Sequence, residues 1–507
     1  MRVIRPGAIF APACVFPFSR DGDSVSTSAE EYLVRVTLVY PPYGSGRRAR
    51  YFPFGLAYVA SSLVKGGHEV SVVDMEGSNL SMDDAVAAVA AGRPDMIGLG
   101  GMVTRFRFAK ELGLRLREAV PGAFLTAGNS GATTLPETYL RSCSLDAVVL
   151  GEGERTSLEL ADAVESGAEW REIPGVAFLS DADKLEFSPP REPVENLDLL
   201  PRPAWDLFPI ESYIHSYDHR GRLTRHMEVV ASRGCPYECV YCYRIYGRRV
   251  RRRSPESIVS EIEELVSRYR IRYTGFPDDL FTSDRSFVLE VCRLIRERLP
   301  GLKWSCLGRV NTVDAGMLSE MKRSGCYWIS YGIETGSPVM MKAMNRKVTP
   351  EQCLEALKLT RKAGIHAEGS FMIGMYGETK ETIEETIAFC ARADITAPML
   401  FVTPYPGTRI FERAMAEGRI PDLESFLSEM NSAGSLLVNL TDMTDEELKA
   451  LRKRAQARIG LNYLMRRPLT RIPVLILKHL LLGGPAGLLR DLAAVLKSVR
   501  GRSRRGT

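Results

Sequence analysis

Apolar positions along this chain follow two rhythms that alternate. Between residues 34 and 167, β-branched runs at 34–40, 69–74, 95–100, 123–127 and 146–150 predict short strands. Helical periods at 56–65, 105–119 and 136–141 separate them, and Pro41-Pro42 and Gly66-Gly67 stop the first strand and the first helix. This alternation predicts a parallel sheet covered by helices on both faces, an open doubly wound α/β domain. A second series follows, with strands at 227–231, 271–276, 302–307, 327–333, 366–373 and 398–403. Its helices are expected at 255–268, 287–299, 315–323, 350–363, 380–391 and 409–417. In both arrangements ligands are expected at the carboxyl ends of the strands.

A chain of 507 residues is too long for one ordinary core. The pattern divides it into a leader (1–32), a first domain (33–170), a linker (171–225), a second domain (226–425) and a helical, basic C-terminal region (426–507). The linker reading rests on Pro189, Pro190, Pro193, Pro201, Pro203 and Pro209. Residues 1–32 are expected to be disordered or to come from an over-extended start, since the 9–18 run is too short and proline-broken for a signal segment. No run reaches eighteen apolar residues, so no spanning helix is predicted. A net charge of +5 is too small to argue for nucleic acid, and none is expected as a partner. Seven of the ten cysteines are scattered without a disulfide framework, which suits a reducing, cytoplasmic setting.

The other three cysteines stand together in Cys235-Pro-Tyr-Glu-Cys239-Val-Tyr-Cys242, directly after a predicted strand. Structural zinc normally takes two separated pairs, and no second Cys/His pair lies nearby. Three thiolates hold three corners of a cubane iron–sulfur cluster and leave the fourth iron without a protein ligand. The C-x₃-C-x₂-C spacing with Tyr241 before the last cysteine resembles the radical S-adenosylmethionine (SAM) enzymes. The six βα units are similar to their partial (βα)₆ barrel. The resemblance implies a [4Fe-4S] cluster on Cys235, Cys239 and Cys242, whose open iron chelates SAM and cleaves it to a 5′-deoxyadenosyl radical.

The same resemblance assigns SAM contacts. In Gly275-Phe-Pro-Asp-Asp-Leu-Phe281, Asp278 or Asp279 faces the SAM ammonium, or else caps the next helix. Glu334, in Gly332-Ile-Glu-Thr-Gly-Ser337, accepts the ribose hydroxyls. Arg309 meets the SAM carboxylate or makes a surface salt bridge. Gly374 and Gly377 offer main-chain groups to the adenine. Tyr405 is a candidate to face substrate, and Cys306 reads as a buried structural thiol.

Ahead of the triplet, Tyr51-Phe-Pro-Phe-Gly-Leu-Ala57, Gly67-His-Glu-Val70 and Val149-Leu-Gly-Glu-Gly-Glu154 resemble the cobalamin-binding domain of B12-dependent radical SAM proteins. Pro201-Arg-Pro-Ala-Trp-Asp-Leu-Phe208 is similar to the segment that joins their two cofactor domains. The implied cobalamin contacts are Pro42, Asp74, Gly100, Gly101, Gly128, Gly151, Glu152 and Gly153. Two departures stand out. The Asp-x-His-x-x-Gly signature is absent, because Met75 and Glu76 follow Asp74, and Gly128 opens Gly-Asn-Ser-Gly where many relatives read Gly-Gly-Pro-His. Cobalamin is therefore expected without a protein histidine on cobalt, and His68 reads as a turn or capping residue.

Arginines 248, 249, 251, 252 and 253 form either a solvated stripe or a site for an anionic substrate, a reductase or the corrin edge. From 466 to 507 there are ten Lys/Arg against the single acid Asp491. That tail is expected to cover the barrel mouth or to rest on an anionic membrane. The resemblance implies methylation of an unactivated carbon in a small-molecule or lipid-like substrate, with an electron donor such as flavodoxin or ferredoxin. Cyclisation, rearrangement or oxidation with the same cofactors is the alternative enzyme reading, and a cobalamin or iron–sulfur sensor or carrier is the non-enzyme one.

Overall fold

A computed structural model describes residues 34–43, 51–217, 223–396, 398–430 and 434–466. The expected leader and the tail beyond residue 466 lie outside the described residues. The first sheet contains β1 (Arg35–Tyr40), β2 (Glu69–Asp74), β3 (Met96–Leu99), β4 (Phe124–Gly128), β5 (Ala147–Val149), β6 (Val176–Leu179) and β7 (Leu185–Phe187). Its order is β2-β1-β3-β4-β5-β6-β7. The first five strands pair in parallel, and their fully buried β3 and β5 need apolar residues on both faces, as the sequence runs supply.

One boundary differs from expectation. The proline-rich stretch after residue 170 is not a linker at its start, because β6 and β7 extend the first sheet as an antiparallel meander. Val176 to Phe178 are buried there, and Trp170 stacks edge-on against Phe124 and Phe178. Only a short apolar run marks β6, which charge and proline on either side obscured.

The second sheet holds β8 (His215–Tyr217), β9 (Leu223–Glu228), β12 (Tyr273–Phe276), β13 (Lys303–Gly308), β14 (Cys326–Glu334), β15 (His366–Ile373) and β16 (Met399–Phe401). A two-strand hairpin, β10 (Ser232–Arg233) with β11 (Arg251–Arg252), lies between. Strand order is β16-β15-β14-β13-β12-β9-β8, with five parallel pairings among six strands and β8 added antiparallel at one edge. This is the curled half-barrel. Helices follow the strands, and Ser254, Asp284, Asp314, Thr349, Thr379 and Thr408 cap their N-termini through side-chain oxygens.

The first barrel strand ends earlier than the expected 227–231. Val229 still donates to Gly275 O, but the Ala231 and Ser232 amides turn to the Asp278 carboxylate, which draws the chain off the ladder. At the other edge, the helix Asp445–Arg466 covers β16. Arg452 Nε donates to Met399 O at 2.7 Å, and Gln456 Oε1 accepts from Met399 N at 2.8 Å.

Two sequence segments meet where the domains join. Phe52 and Phe54 pack against Trp205, with Phe208 and Tyr213 edge-on to Phe52. Ala204 N donates to Ala57 O. Burying so many rings in one cluster fixes the approach of the domains.

Candidate active site

The cysteine loop leaves β10 through Gly234, whose φ of +96° and close packing on Arg249 O leave no space for a side chain. Asp278, 3% exposed, holds the loop's entry by accepting from Ala231 N, Ser232 N and Ser232 Oγ. The far side is tied to the barrel. Asn345 Nδ2 donates to Glu238 O, Val240 N to Met344 O and Ile410 N to Val240 O. Cys235, Cys239 and Cys242 are free thiols on this loop. Burial raises Cys235 and pushes Cys242 to about 12, with Asp279 adding to both. Cys235 and Cys242 thus favour the protonated thiol in the absence of a metal.

The SAM-side candidates divide. Asp278, its carboxyl raised to about 6 by burial, is engaged at the loop entry by Ala231 and Ser232, and the following helix is capped by Asp284 instead. Asp279 accepts no hydrogen bond among the described residues, burial raises it, and its charge is felt by Cys235 and Cys242. Glu334 ends β14 at a register shift with φ +70°, a left-handed conformation unusual for a glutamate. Burial raises its carboxyl against Arg346 and Ser370, and Ser370 Oγ donates to it at 3.3 Å. Arg309 is buried, stacks on Tyr237 at 3.6 Å and binds Arg346 O, so it is no surface salt bridge. Gly374 gives its N–H to the Glu378 carboxyl, which leaves only its carbonyl free for a ligand. Gly377 (φ +78°) has open space around it and lines a cavity of 520 Å³ with Val240, Met375, Tyr376, Arg409 and Arg413. Cys306 is buried in the core, as expected.

At the carboxyl edge of the first sheet, Pro42, Gly101, Gly128 and Gly151 are partly or fully open, while Gly100 is buried against Leu56. A side chain at Gly151 would meet nothing within 4 Å, and the neighbouring Met102 is 46% exposed. Thr104 Oγ1 is buried there without a partner among the described residues. Asp74 and Glu152 do not join this edge as ligand groups. Asp74, 2% exposed, accepts from Tyr213 OH at 2.6 Å and from Gly77 N. Glu152 instead forms a buried ion cluster with Glu154, Arg233 and Arg251. Burial opposes its charge, but the Arg251 hydrogen bond and both guanidiniums hold its carboxyl below the usual range. Gly153 starts the helix Gly153–Ser166, packed near Val59. Asn129 caps a short helix through Ala132 N, and His68 is buried and bound to Asp162 at 3.0 Å.

The two carboxyl edges adjoin. Gly407, after β16, packs against Thr134 of the first domain and Tyr243 of the cysteine loop. The arginine run is not a solvated stripe: Arg248 and Arg249 point outward to Glu238 and Glu195, whereas Arg251 and Arg253 are buried on Glu152 and Glu261.

Comparison with known proteins agrees with this geometry. Residues 229–390 match the radical SAM superfamily model and residues 45–161 the B12 binding domain model. An uncharacterized methyltransferase of Pyrococcus horikoshii is 33% identical over 392 residues, covering 76% of this chain and 84% of that one. The chain belongs to the cobalamin-binding radical SAM family. The anaerobic magnesium-protoporphyrin IX monomethyl ester cyclase of Rubrivivax gelatinosus is 28% identical over 407 residues, 78% of this chain and 72% of its own. The fold is shared with the radical SAM methyltransferase TsrM of Kitasatospora setae, solved with tryptophan and a SAM analogue. That match has a TM-score of 0.64 at 22% identity and covers 76% of this chain and 77% of that one.

Membership brings a [4Fe-4S] cluster, SAM and cobalamin, and the residues fit all three. Three free thiols on one loop suit the cluster, with the Arg309 and Arg346 guanidiniums nearby to balance thiolate charge. The unpaired Asp279 and the strained Glu334 suit the polar groups of SAM. The open glycine edge, the orphaned Thr104 hydroxyl and exposed Met102 suit a broad, partly apolar cofactor. None of the six histidines falls in the loops after β1 to β5, so this radical SAM protein offers cobalamin no imidazole there. Arg346 went unnoticed in the sequence, where Met-Asn-Arg-Lys reads as an ordinary turn after a helix.

Proposed function

We propose that this protein methylates an unactivated carbon of a small-molecule or lipid-like substrate. The carrying observation is that the cobalamin-side edge and the cysteine loop come together at Gly407, which packs against both Thr134 and Tyr243. When bound, the cluster with SAM supplies hydrogen-atom abstraction and cobalamin supplies the methyl group. Cys235, Cys239 and Cys242 hold the cluster, and Asp279 accepts from the SAM ammonium. Glu334, buried and held by Ser370, takes the ribose hydroxyls. Gly377 borders the adenine, and Pro42, Gly101, Gly128 and Gly151 form the bed for the corrin. Tyr405, half-buried on the loop after β16, faces the substrate space.

We infer a low-potential one-electron donor such as flavodoxin or ferredoxin, and a reducing, cytoplasmic setting. No described helix is long and apolar enough to cross a membrane. Residues 466–507 are a candidate peripheral contact with an anionic bilayer, tested by fractionation at low salt.

The activity is tested with anaerobically reconstituted protein, SAM, cobalamin and dithionite, followed by mass spectrometry of candidate substrates. Methyl transfer gives S-adenosylhomocysteine and 5′-deoxyadenosine together with a product one carbon heavier. 5′-Deoxyadenosine without S-adenosylhomocysteine would favour a cyclase-like or rearranging reaction, in line with the Rubrivivax relative. Failure to release 5′-deoxyadenosine would favour the cobalamin or iron–sulfur sensor or carrier.

A further inference from the structure

Six arginines are buried among the described residues: Arg105, Arg233, Arg251, Arg253, Arg309 and Arg346. Four of them face a carboxylate in an ion pair, on Glu76, Glu152 with Glu154, Glu152, and Glu261 respectively. A buried guanidinium without an anion is costly, so these pairings are expected. Arg309 and Arg346 break the pattern. Neither has a carboxylate within 4.0 Å among the described residues.

Both converge instead on one sulfur. Arg346 Nη1 lies 3.6 Å from Cys239 Sγ and Arg309 Nη1 3.9 Å from it. Each is fixed by other bonds. Arg346 also reaches Tyr241 OH at 3.2 Å and Gly332 O, and Arg309 reaches Arg346 O while stacking on Tyr237. The Glu334 carboxyl acts on both guanidiniums from beyond ion-pair distance, and the sulfur they share within hydrogen-bond reach is that of Cys239, the most buried of the three ligand cysteines.

We propose that Arg346 and Arg309 are positioning residues that set the reduction potential of the cluster through Cys239. Adding one electron to a thiolate-ligated cluster makes it one charge more negative, so nearby fixed positive charge and N–H···S bonds favour the reduced form. Their effect raises the potential and brings reduction within reach of the donor. The inference rests on the cluster at the cysteine triplet and not on methyl transfer, so a failed methylation assay leaves it standing.

The test is a potentiometric titration, with dithionite as reductant, following the electron paramagnetic resonance signal of reconstituted protein without SAM. Iron and sulfide content is measured in every variant. Arg346→Gln keeps a hydrogen-bond donor but removes the charge, and its midpoint is expected to be more negative than that of the wild type. Arg346→Lys, which keeps the charge, is expected to recover most of the difference. Arg309→Gln, at the longer distance, is expected to shift the midpoint the same way by less, and it carries the test alone if Arg346→Gln retains no cluster. An unchanged midpoint in a fully loaded Gln variant, or a Lys variant shifted as far as Gln, overturns the proposal.

Discussion

Replacing Glu152 by Gln tests whether the two domains are joined by charge at the base of the cysteine loop. The side chains of Glu152, Glu154, Arg233 and Arg251 are at most 7% exposed, and together they are neutral. Glu152 accepts from Arg233 Nη1 and Arg251 Nη1, each at 3.1 Å, from Arg251 Nη2, and from Val194 N at 3.2 Å. Glutamine leaves one uncompensated positive charge among groups that water cannot reach. Breaking a buried pair in this way costs about 3–5 kcal/mol. At roughly 2–4 °C per kcal/mol for a domain of this size, the melting temperature should fall by about 10 °C. Arg251→Met alone should cost a similar amount, leaving Glu152 with Arg233 only. The double variant removes one charge of each sign and keeps the Arg233 to Glu154 pair, so its loss should be smaller than the sum by about 1–3 kcal/mol. Calorimetry of the protein without cofactors measures all three. A Glu152→Gln cost below about 1 kcal/mol, or additivity within about 0.5 kcal/mol, would refute the reasoning.

Three further outcomes are expected. Glu334→Gly removes a left-handed backbone cost of about 1–2 kcal/mol and a desolvated carboxylate, so the melting temperature should rise while SAM affinity, read by equilibrium dialysis, is lost. Burial moves the Glu378 carboxyl from 4.5 to about 7, so the native state holds its proton more tightly than the unfolded chain. The contribution of this group to stability is then full below pH 4.5 and is lost as pH rises through about 7; in Glu378→Gln, denaturant midpoints should lose that part of the slope. Asp278→Ala strands three donors at the loop entry, at a cost of about 1–3 kcal/mol for each that stays buried, and iron retained after reconstitution should drop.

Much of the architecture was legible because it is written in local pattern. The strands at 34–40 and 69–74 and the capped helices at 255–268 and 380–391 lie close to their expected places. The cysteine triplet needed only spacing. What stayed hidden depended on partners far along the chain. Glu152 looked like a cofactor contact because it stands at a strand end, and only the fold brings Arg251 to it from 99 residues away. Asp278 was ambiguous between ligand and cap, and its true partners are main-chain amides 46 and 47 residues earlier. Arg346 carried no signal at all, since a single arginine in a turn shows nothing of the sulfur 107 residues upstream.

The helix over β16 has a meaning beyond covering the barrel. A half-barrel is an unfinished ring, and its last strand would otherwise offer unpaired amides and carbonyls to any passing chain. Arg452 and Gln456 occupy the Met399 groups, while Leu448, Ala455 and Ile459 bury their apolar side chains beneath. Proteolysis that removed this helix would turn the rim into a template for neighbouring copies, and self-association, more than lost catalysis, would be the first sign of damage.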